Sequence, residues 1–216
     1  MTGVTAATAS GVDNPFFARV WSVAATRELK AVRALRRENL AGLCGRVLEA
    51  GAGIGTNFAF YPDGVEQVIA VEPEPRLRAR ARAAAAKAPV PVAVTGERVE
   101  EFSDGEPFDA VVCSLVLCSV HDPGTALQHL RSLLRPSGQL RYLEHVASAG
   151  TRGRLQRFVD ATFWPRLFGN CHTHRDAERS IVDAGFQMDD SRREWTFPTW
   201  MPTPVSELAL GQARRP

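Results

Sequence analysis

A glycine-rich segment with an acidic residue just before it is the part of this sequence best suited to chemistry. Glu49 is followed by Gly51, Gly53 and Gly55, and the apolar residues ahead of Glu49 predict a β-strand that ends here. Glycines permit a tight turn and let a ligand approach the backbone closely. In an open α/β sheet, ligands bind beyond the carboxyl ends of the strands, where the strand order reverses. The segment therefore predicts a ligand site at the end of the first strand.

The spacing of the glycines narrows the choice of ligand. A dinucleotide fingerprint would require glycine at position 56, which is Thr56. A carboxylate at Glu49 would repel a pyrophosphate, whereas it suits the ammonium group of a methionine moiety. Glu72 ends the second predicted strand, where it can accept hydrogen bonds from ribose; an ordinary acidic residue at a helix start is the alternative. Tyr61 and Tyr142 are each followed four residues later by valine, which excludes the Tyr-x-x-x-Lys pair of short-chain reductases.

The elements that must position these residues alternate between strands and helices. Alternation of this kind predicts crossover units and a mostly parallel sheet covered on both faces. The predicted strands cover 46–50, 67–72, 90–95, 108–114, 139–146, 187–197 and 205–213; helices cover 56–61, 75–88 and 123–134, and a turn covers 135–138. The predicted fold is α/β, a doubly wound and mostly parallel seven-stranded sheet.

Two helical segments lie outside this alternation. Apolar residues at helical spacing predict a helical cap over 15–43, and an amphipathic helix over 154–167 belongs to a predicted lid insertion at 151–175. A further helix is predicted over 176–184. The length of 216 residues fits one domain, so we expect 1–14 to be a flexible N-terminus and 15–216 to form a single domain.

The composition excludes several classes of protein. Apolar residues make up 44% and charged residues 23% of the chain, as in a globular enzyme. The formal net charge of +2 does not suggest a nucleic-acid binder. The longest apolar run, 110–120, is far short of the ~20 residues that a membrane-spanning helix needs. We therefore expect a cytoplasmic protein without stable membrane insertion and without a nucleic-acid partner.

The four cysteines show no paired spacing of the kind that metal sites use. Cys44, Cys113, Cys118 and Cys171 are interpreted as reduced thiols, mostly buried. Residues 171–174 cluster one cysteine and two histidines, but no partner segment elsewhere completes a ligand set. The sequence therefore predicts no metal.

In combination, these segments resemble the class I S-adenosylmethionine-dependent methyltransferases that act on small molecules. The resemblance rests on 47–55, Glu72, 96–97 and 134–138. The sequence is more closely similar to the alkyl-thiol S-methyltransferases and their bacterial relatives in the segments 57–62, 112–120, 144–146, 163–165 and 169–172. It departs from that pattern at Ser137, where a second glycine is usual, and at His174, often threonine. A charged helix also replaces the apolar N-terminal anchor of the membrane-bound animal relatives.

The resemblance implies S-adenosyl-L-methionine as the cofactor and S-adenosyl-L-homocysteine as its product. It makes 15–216 the methyltransferase domain. Residues 13–17 are similar to the Asn-Pro-Pro-Tyr/Phe motif of amino-group methyltransferases, but they precede the first predicted strand, so a helix start is predicted there instead. The expected cofactor-binding residues are Glu49, Gly51, Ala52, Gly53, Asn57, Glu72, Pro73, Glu97, Arg98, Ser114 and Leu115.

Methyl transfer is an in-line displacement, so an enzyme contributes mainly by aligning the nucleophile with the methyl group. A thiol attacks as thiolate, and a histidine near it can help at neutral pH. His145 is the first candidate for this catalytic role, followed by His172 and His121. The alternative for His145 is a structural role, because thiol methylation does not always need a protein base.

Aromatic residues on the two helical segments are expected to roof the acceptor site. Phe17, Trp21, Phe163 and Trp164, together with Phe16, would exclude water; simple anchoring of the helices is the alternative. The predicted function is S-methylation of a small apolar thiol. C- or O-methylation of a quinone, phenol or polyketide-like acceptor is the alternative, and a cofactor-binding module without catalysis belongs to a different class. We expect a monomer or a weak homodimer.

Overall fold

The computed structural model describes residues 13–216 and contains one seven-stranded sheet in the order β3-β2-β1-β4-β5-β7-β6. The strands are β1 Gly45–Ala50, β2 Val65–Val71, β3 Val92–Thr95, β4 Phe108–Ser114, β5 Leu134–His145, β6 Gln187–Trp195 and β7 Glu207–Arg214. The helices are α1 Pro15–Thr26, α2 Lys30–Leu40, α3 Pro75–Ala85, α4 Pro123–Leu133, α5 Gly150–Ala161, α6 Trp164–Leu167 and α7 Ala177–Asp183.

The first five strands pair in parallel, and β7 inserts antiparallel between β5 and β6. This arrangement confirms the predicted doubly wound, mostly parallel sheet. The chain starts at the centre with β1, moves outward to β3, and then crosses back to β4 on the other side of β1. The strand order therefore reverses between β1 and β4, where such sheets form a ligand crevice at the carboxyl ends of their strands.

Buried side chains cover both faces of the central strands. Along β1, Leu48 belongs to the apolar cluster on one face, whereas Val47 belongs to the cluster on the other. Along β4, Val111 and Val112 divide in the same way. Because successive side chains of a strand point to opposite faces, these short runs are apolar throughout, as parallel strands buried on both sides require.

Helix starts are encoded by short local signals. The Asn14 side chain accepts a hydrogen bond from the Phe17 N–H at 3.0 Å, with Pro15 at the first helical position. Glu74 caps α3 in the same way, accepting from Leu77 N–H at 2.8 Å. Side-chain oxygens of this kind satisfy the N–H groups that a helix start leaves free. The predicted helix start at 13–17 is thus confirmed.

Two predicted helices and one predicted turn differ from the structure. The helix predicted over 56–61 is a single 3-10 turn, Phe58–Phe60, because Tyr61 leaves helical geometry and donates its hydroxyl to Glu49. The amphipathic helix predicted over 154–167 divides into α5 and α6, since Pro165 has no N–H to continue the helical ladder. The turn predicted over 135–138 lies within β5, where Ser137 takes a left-handed φ of 62°.

Within residues 13–216, no helix is both long enough and apolar enough to cross a membrane.

Candidate functional site

A cavity of about 620 Å³ opens along the carboxyl ends of the parallel strands. Its walls include Glu49 near the end of β1, Glu72 after β2, Ser114 at the end of β4 and His145 at the end of β5. The strand order places Glu72 and Glu49 on one side of the cavity. Ser114 and His145 lie on the other side. We call the side of β1, β2 and β3 the cofactor end, and the side of β4 and β5 the acceptor end.

At the cofactor end, the glycine turn leaves a surface that no side chain can occupy. Gly51 and Gly53 have φ values of 63° and 58°, in the left-handed region that favours glycine. A Cβ on Gly51 would lie 2.4 Å from Val116 Cγ2, and one on Gly53 would lie 2.9 Å from Trp21 Nε1. The bare backbone thus forms a cradle that suits a ligand lying flat against the turn.

Glu49 forms the floor of this end and is held by a buried polar network. Its carboxylate accepts hydrogen bonds from Asn57 Nδ2 at 3.0 Å and from the Tyr61 hydroxyl at 2.6 Å. Asn57 also donates to Ser114 Oγ at 3.1 Å and accepts from Arg36 Nη1 at 3.1 Å. Burial raises the pKa of Glu49 to about 7, against the opposing effect of the Tyr61 hydrogen bond. A cationic ligand group would favour its ionised form.

Glu72 connects the glycine turn to the start of α3. One carboxylate oxygen accepts from Gly53 N–H at 2.7 Å, and the other accepts from Glu74 N–H at 2.9 Å. Burial raises the pKa of Glu72 to about 7, and the two backbone hydrogen bonds act against this shift. Each oxygen keeps a lone pair for a further donor, which fits two neighbouring ribose hydroxyls.

The wall beyond β3 includes Arg98, Val99 and Glu100. Of the pair expected to flank the adenine, Arg98 lines the cavity, whereas Glu97 is exposed and lies outside the lining. Ala52, Pro73, Ser114 and Leu115, which the sequence also predicts to bind the cofactor, line the cavity. Asn57 lies outside the lining, directly behind Glu49.

The acceptor end begins with a tight loop after β4. Leu115 adopts a φ of 60°, which is uncommon for a residue other than glycine. The buried Glu144 carboxylate holds this loop by accepting from Val116 N–H at 2.9 Å and Leu117 N–H at 3.0 Å. Its second oxygen, Oε2, is buried without a hydrogen-bond partner among the described residues.

A second loop, residues 168–175, closes against the first. The His172 N–H donates to the Cys118 carbonyl at 2.8 Å, and Asn170 Nδ2 donates to the Ser119 carbonyl at 2.8 Å. The Arg175 guanidinium donates to the Leu117 carbonyl at 2.8 Å. Neither loop has regular secondary structure, so these bonds fix their relative position.

The three candidate histidines take different positions. His145 and His121 line the cavity, whereas the His172 ring lies outside the lining. His172 acts in the structure through its backbone N–H, and burial lowers the pKa of its imidazole. His121 is exposed at the rim. The structure thus brings only His145 to the inner wall of the acceptor end.

The predicted aromatic roof is only partly assembled. Phe17, Trp21 and Trp164 line the cavity, while Phe16 and Phe163 are exposed and lie outside its lining. Trp21 lies over Gly53 and therefore covers the cofactor end rather than the acceptor end. Trp164 stacks on Phe168, a lining residue that the sequence did not single out, with ring centroids 4.2 Å apart.

Cys118 and Cys171 join His145 at the inner wall of the acceptor end. The two sulfur atoms and a ring nitrogen of His145 lie within 4.8 Å of one another. A hydrogen bond with Cys171 raises the pKa of Cys118, together with burial, and lowers the pKa of Cys171. No disulfide joins them. Sequence spacing could not reveal this group, because its members come from three distant segments.

Comparison with known proteins agrees with this geometry. Residues 48–142 match a family model described as a methyltransferase domain. The thiol S-methyltransferase TMT1B of Mus musculus is 33% identical over 212 residues, covering 92% of this chain and 85% of the relative. The Homo sapiens TMT1B is 31% identical, covering 82% of this chain and 74% of the relative. The N-methyltransferase NodS from Bradyrhizobium japonicum WM9, solved with S-adenosyl-l-homocysteine, shares the fold at a TM-score of 0.65 and 18% identity, covering 94% of this chain and 89% of that chain.

The fold, the matched domain and the cradle between Glu49 and Glu72 define a class I S-adenosylmethionine-dependent methyltransferase. S-adenosylmethionine is its cofactor, and the bare glycine turn with its two buried carboxylates fits the methionine and ribose portions of that molecule. Within the class, the chain belongs to the family of the thiol S-methyltransferases TMT1B and TMT1A, with which it aligns over most of its length.

Proposed function

We propose that this enzyme transfers the methyl group of S-adenosylmethionine to the sulfur of a small, largely apolar thiol. The observation that carries the proposal is the division of charge in the cavity. Among the described residues, the carboxylates that line the cavity lie at the cofactor end: Glu49, Glu72, Glu74 and Glu100. A thiolate is anionic, so a carboxylate beside it would oppose its formation.

The lining of the acceptor end suits a thiol in its other properties. Leu115, Val116, Trp164 and Phe168 provide apolar and aromatic surface, and His145 supplies an imidazole. Apolar walls exclude water from the displacement and bind the carbon chain of the acceptor. The names of the mouse and human relatives, both called thiol S-methyltransferases, favour the same acceptor class.

The residues of the chain contribute alignment more than proton chemistry. When bound, the cofactor supplies an electrophilic methyl group on a good leaving group. Glu49 and Glu72 would hold the amino-acid and ribose portions, and Ser114 with Leu115 would orient the methyl toward the acceptor end. We propose that His145, rather than His172 or His121, assists ionisation of the acceptor, because it is the histidine at the inner wall. Fixed alignment of two reactants is the main source of acceleration for such a displacement.

A small-molecule acceptor is part of the proposal. The cavity of about 620 Å³ has to hold the cofactor and the acceptor together, which leaves room for a compact molecule.

The test is an acceptor panel with methyl-labelled S-adenosylmethionine. The panel contains 1-hexanethiol, its alcohol counterpart 1-hexanol, a phenol and a quinone, and mass spectrometry locates the label. We expect methyl hexyl sulfide and an equal amount of S-adenosylhomocysteine from the thiol alone. Label on oxygen or carbon, with an unreactive thiol, would replace this function by methylation of a phenol- or quinone-like acceptor.

A further inference from the structure

Two thiols and one imidazole converge on one point of the acceptor end. Cys118 lies in the loop after β4, His145 ends β5, and Cys171 lies in the loop after α6. Their ligating atoms fall within 4.8 Å of one another, and Cys171 Sγ is 4.0 Å from His145 Nδ1. All three side chains line the cavity. The group is therefore reachable from the space in which the acceptor is expected.

We propose that Cys118, His145 and Cys171 bind a zinc ion whose fourth coordination position faces the cavity and takes the acceptor sulfur. The zinc site itself is inferred from the positions of the three side chains. Only the identity of the fourth ligand rests on the thiol methyl transfer proposed above.

The geometry is close to what zinc requires. Tetrahedral zinc holds sulfur at about 2.3 Å and nitrogen at about 2.0–2.1 Å, so its ligand atoms stand roughly 3.5–3.8 Å apart. The cluster, at 4.8 Å or less, needs a contraction of roughly 1.0–1.3 Å at most, which small side-chain movements supply. Three protein ligands with one open position form the arrangement of catalytic rather than structural zinc.

The surrounding loops hold the ligands in place without a metal. The Cys118 carbonyl accepts from His172 N–H at 2.8 Å, which connects the two cysteine-bearing loops directly. Glu144, which immediately precedes His145, holds the loop before Cys118 through the Leu117 N–H at 3.0 Å. A preformed scaffold of this kind reduces the ordering that metal binding has to impose.

One further feature fits a cation here. Ser119 Oγ lies 3.5 Å from Cys118 Sγ, where it can donate to a metal-bound thiolate. A disulfide would use only the two sulfurs, whereas the approach of the imidazole to the same point favours a metal.

Zinc at this position would produce the thiolate, and His145 would then assist ionisation of the acceptor as a zinc ligand and not as the proton acceptor. An acceptor thiol that binds through sulfur loses its proton to water, because a metal-coordinated thiol is deprotonated. A sulfur electron pair then forms the bond to the methyl carbon, and the bond from that carbon to the sulfonium breaks, leaving its electron pair on S-adenosylhomocysteine. The neutral sulfide product binds zinc weakly and leaves. One proton is released per turnover, and no oxidant or reductant is required.

Metal binding is tested on the full-length enzyme, purified without chelators, by elemental analysis and by cobalt(II) substitution. We expect one zinc per chain, and with cobalt a sulfur-to-metal charge-transfer band together with tetrahedral d–d absorption. Cys118→Ser, Cys171→Ser and His145→Gln should each weaken zinc binding by more than about tenfold, as loss of a ligand requires. The matched controls are Cys44→Ser, an exposed cysteine elsewhere, and His172→Gln, the histidine adjacent to Cys171 that lies outside the cavity.

A second arm asks whether the acceptor reaches the metal. We expect 1-hexanethiol to shift the cobalt spectrum and 1-hexanol to leave it unchanged. Removal of zinc should leave S-adenosylhomocysteine binding within about twofold by calorimetry, because the cofactor end contains none of the three ligands. Methylation of the thiol should stop and return with added zinc.

The outcomes separate this proposal from the proposed function. Substoichiometric zinc with unchanged thiol methylation in chelator would overturn the metal site and leave the function intact, as would a Cys118–Cys171 disulfide in the active enzyme. A one-to-one zinc site in a protein that methylates only phenols would keep the metal and remove thiol as the fourth ligand.

Discussion

The two ends of the cavity are built in different ways. The cofactor end depends on Glu49, the glycines at 51 and 53, and Glu72, which all belong to one strand-turn-strand unit. The acceptor end combines the loop after β4, the end of β5 and residues 164–171. The first end is nearly complete within 24 residues of sequence, whereas the second exists only once the sheet has formed.

The two ends of the cavity are also held by different kinds of hydrogen bond. The cofactor end is held largely by hydrogen bonds within its own segment, such as Glu72 to the Gly53 N–H at 2.7 Å and the Tyr61 hydroxyl to Glu49 at 2.6 Å. The acceptor end is held by hydrogen bonds between loops, such as Asn170 to the Ser119 carbonyl at 2.8 Å. We therefore expect substitutions at the two ends to act on separate kinetic quantities.

The largest expected effect is at the glycine turn. Gly53→Val adds a β-branched side chain at a φ of 58°, with its Cβ 2.9 Å from Trp21 Nε1. A left-handed backbone alone costs about 1–2 kcal/mol for such a residue, and the lost ligand space adds to it. Affinity for S-adenosylhomocysteine, measured by calorimetry, should fall by more than about thirtyfold. Gly105→Ala, where an added Cβ meets nothing within 4 Å, is the control and should bind normally.

Glu72→Ala should weaken cofactor binding by about 1.5–3 kcal/mol, the range for hydrogen bonds to a charged group. The acceptor KM should stay within about twofold, since Glu72 lies at the far end of the cavity. Glu72→Gln keeps one oxygen that can accept a hydrogen bond from the Gly53 N–H. This variant should therefore lose less cofactor-binding free energy than Glu72→Ala. Equal losses in cofactor and acceptor binding would show that the two ends are not separate.

The pH dependence of cofactor binding should report on the two buried carboxyls. Glu49 and Glu72 both have pKa values of about 7 because burial disfavours their charge. Each must lose a proton to face the ammonium or the ribose hydroxyls, so the S-adenosylhomocysteine association constant should decrease below about pH 7, by up to about tenfold per pH unit for each carboxyl. Glu49→Gln should remove its share of the slope. A slope identical in wild type and variant would exclude Glu49 as the titrating group.

The same carboxyls predict an opposite trend for the ligand-free protein. Their folded-state pKa values lie above the ordinary value of 4.5, so between about pH 4.5 and 7 the folded chain binds more protons than the unfolded chain. Their contribution to stability is therefore lost as the pH rises through that window. The Tm of the ligand-free enzyme should fall less steeply over this range in Glu49→Gln than in wild type.

The smallest expected effects distinguish the two tryptophans. Trp164→Ala removes a ring stacked on Phe168 and should raise the thiol KM roughly threefold to tenfold, with cofactor affinity unchanged. Trp21→Ala should weaken cofactor binding and leave the thiol KM unchanged, because Trp21 lies over Gly53. Initial rates with each substrate varied in turn measure both constants. A thiol KM that responds to Trp21 and not to Trp164 would contradict the division of the cavity.

The contrast also explains what the sequence could and could not predict. The order of strands and helices, the glycine turn and both carboxylates follow from local patterns of apolar residues, turn residues and charge. The helix boundaries at 56–61 and 154–167 were wrong because tertiary contacts and Pro165 decided them. Asn57 begins the segment 57–62, which is similar to the alkyl-thiol S-methyltransferases. The structure nevertheless places it behind Glu49 and not in the cavity wall.

The acceptor end lay beyond sequence reasoning for a physical reason. Cys118 and Cys171 are 53 positions apart, and only the pairing of their loops brings them to His145. Glu144 likewise gains its role from a neighbour distant along the chain, because the Val116 N–H that it holds is 28 positions away. Spacing rules detect ligands on one helix or one hairpin, and this group uses neither.

A crystal structure of the enzyme with S-adenosylhomocysteine tests the division of the cavity most directly. We predict that the ribose hydroxyls contact Glu72, the ammonium faces Glu49, and the sulfur points past Ser114 toward His145, whose surroundings stay free for the acceptor. A homocysteine chain packed against His145 and Trp164, with the Glu49 network facing empty space, would contradict the account.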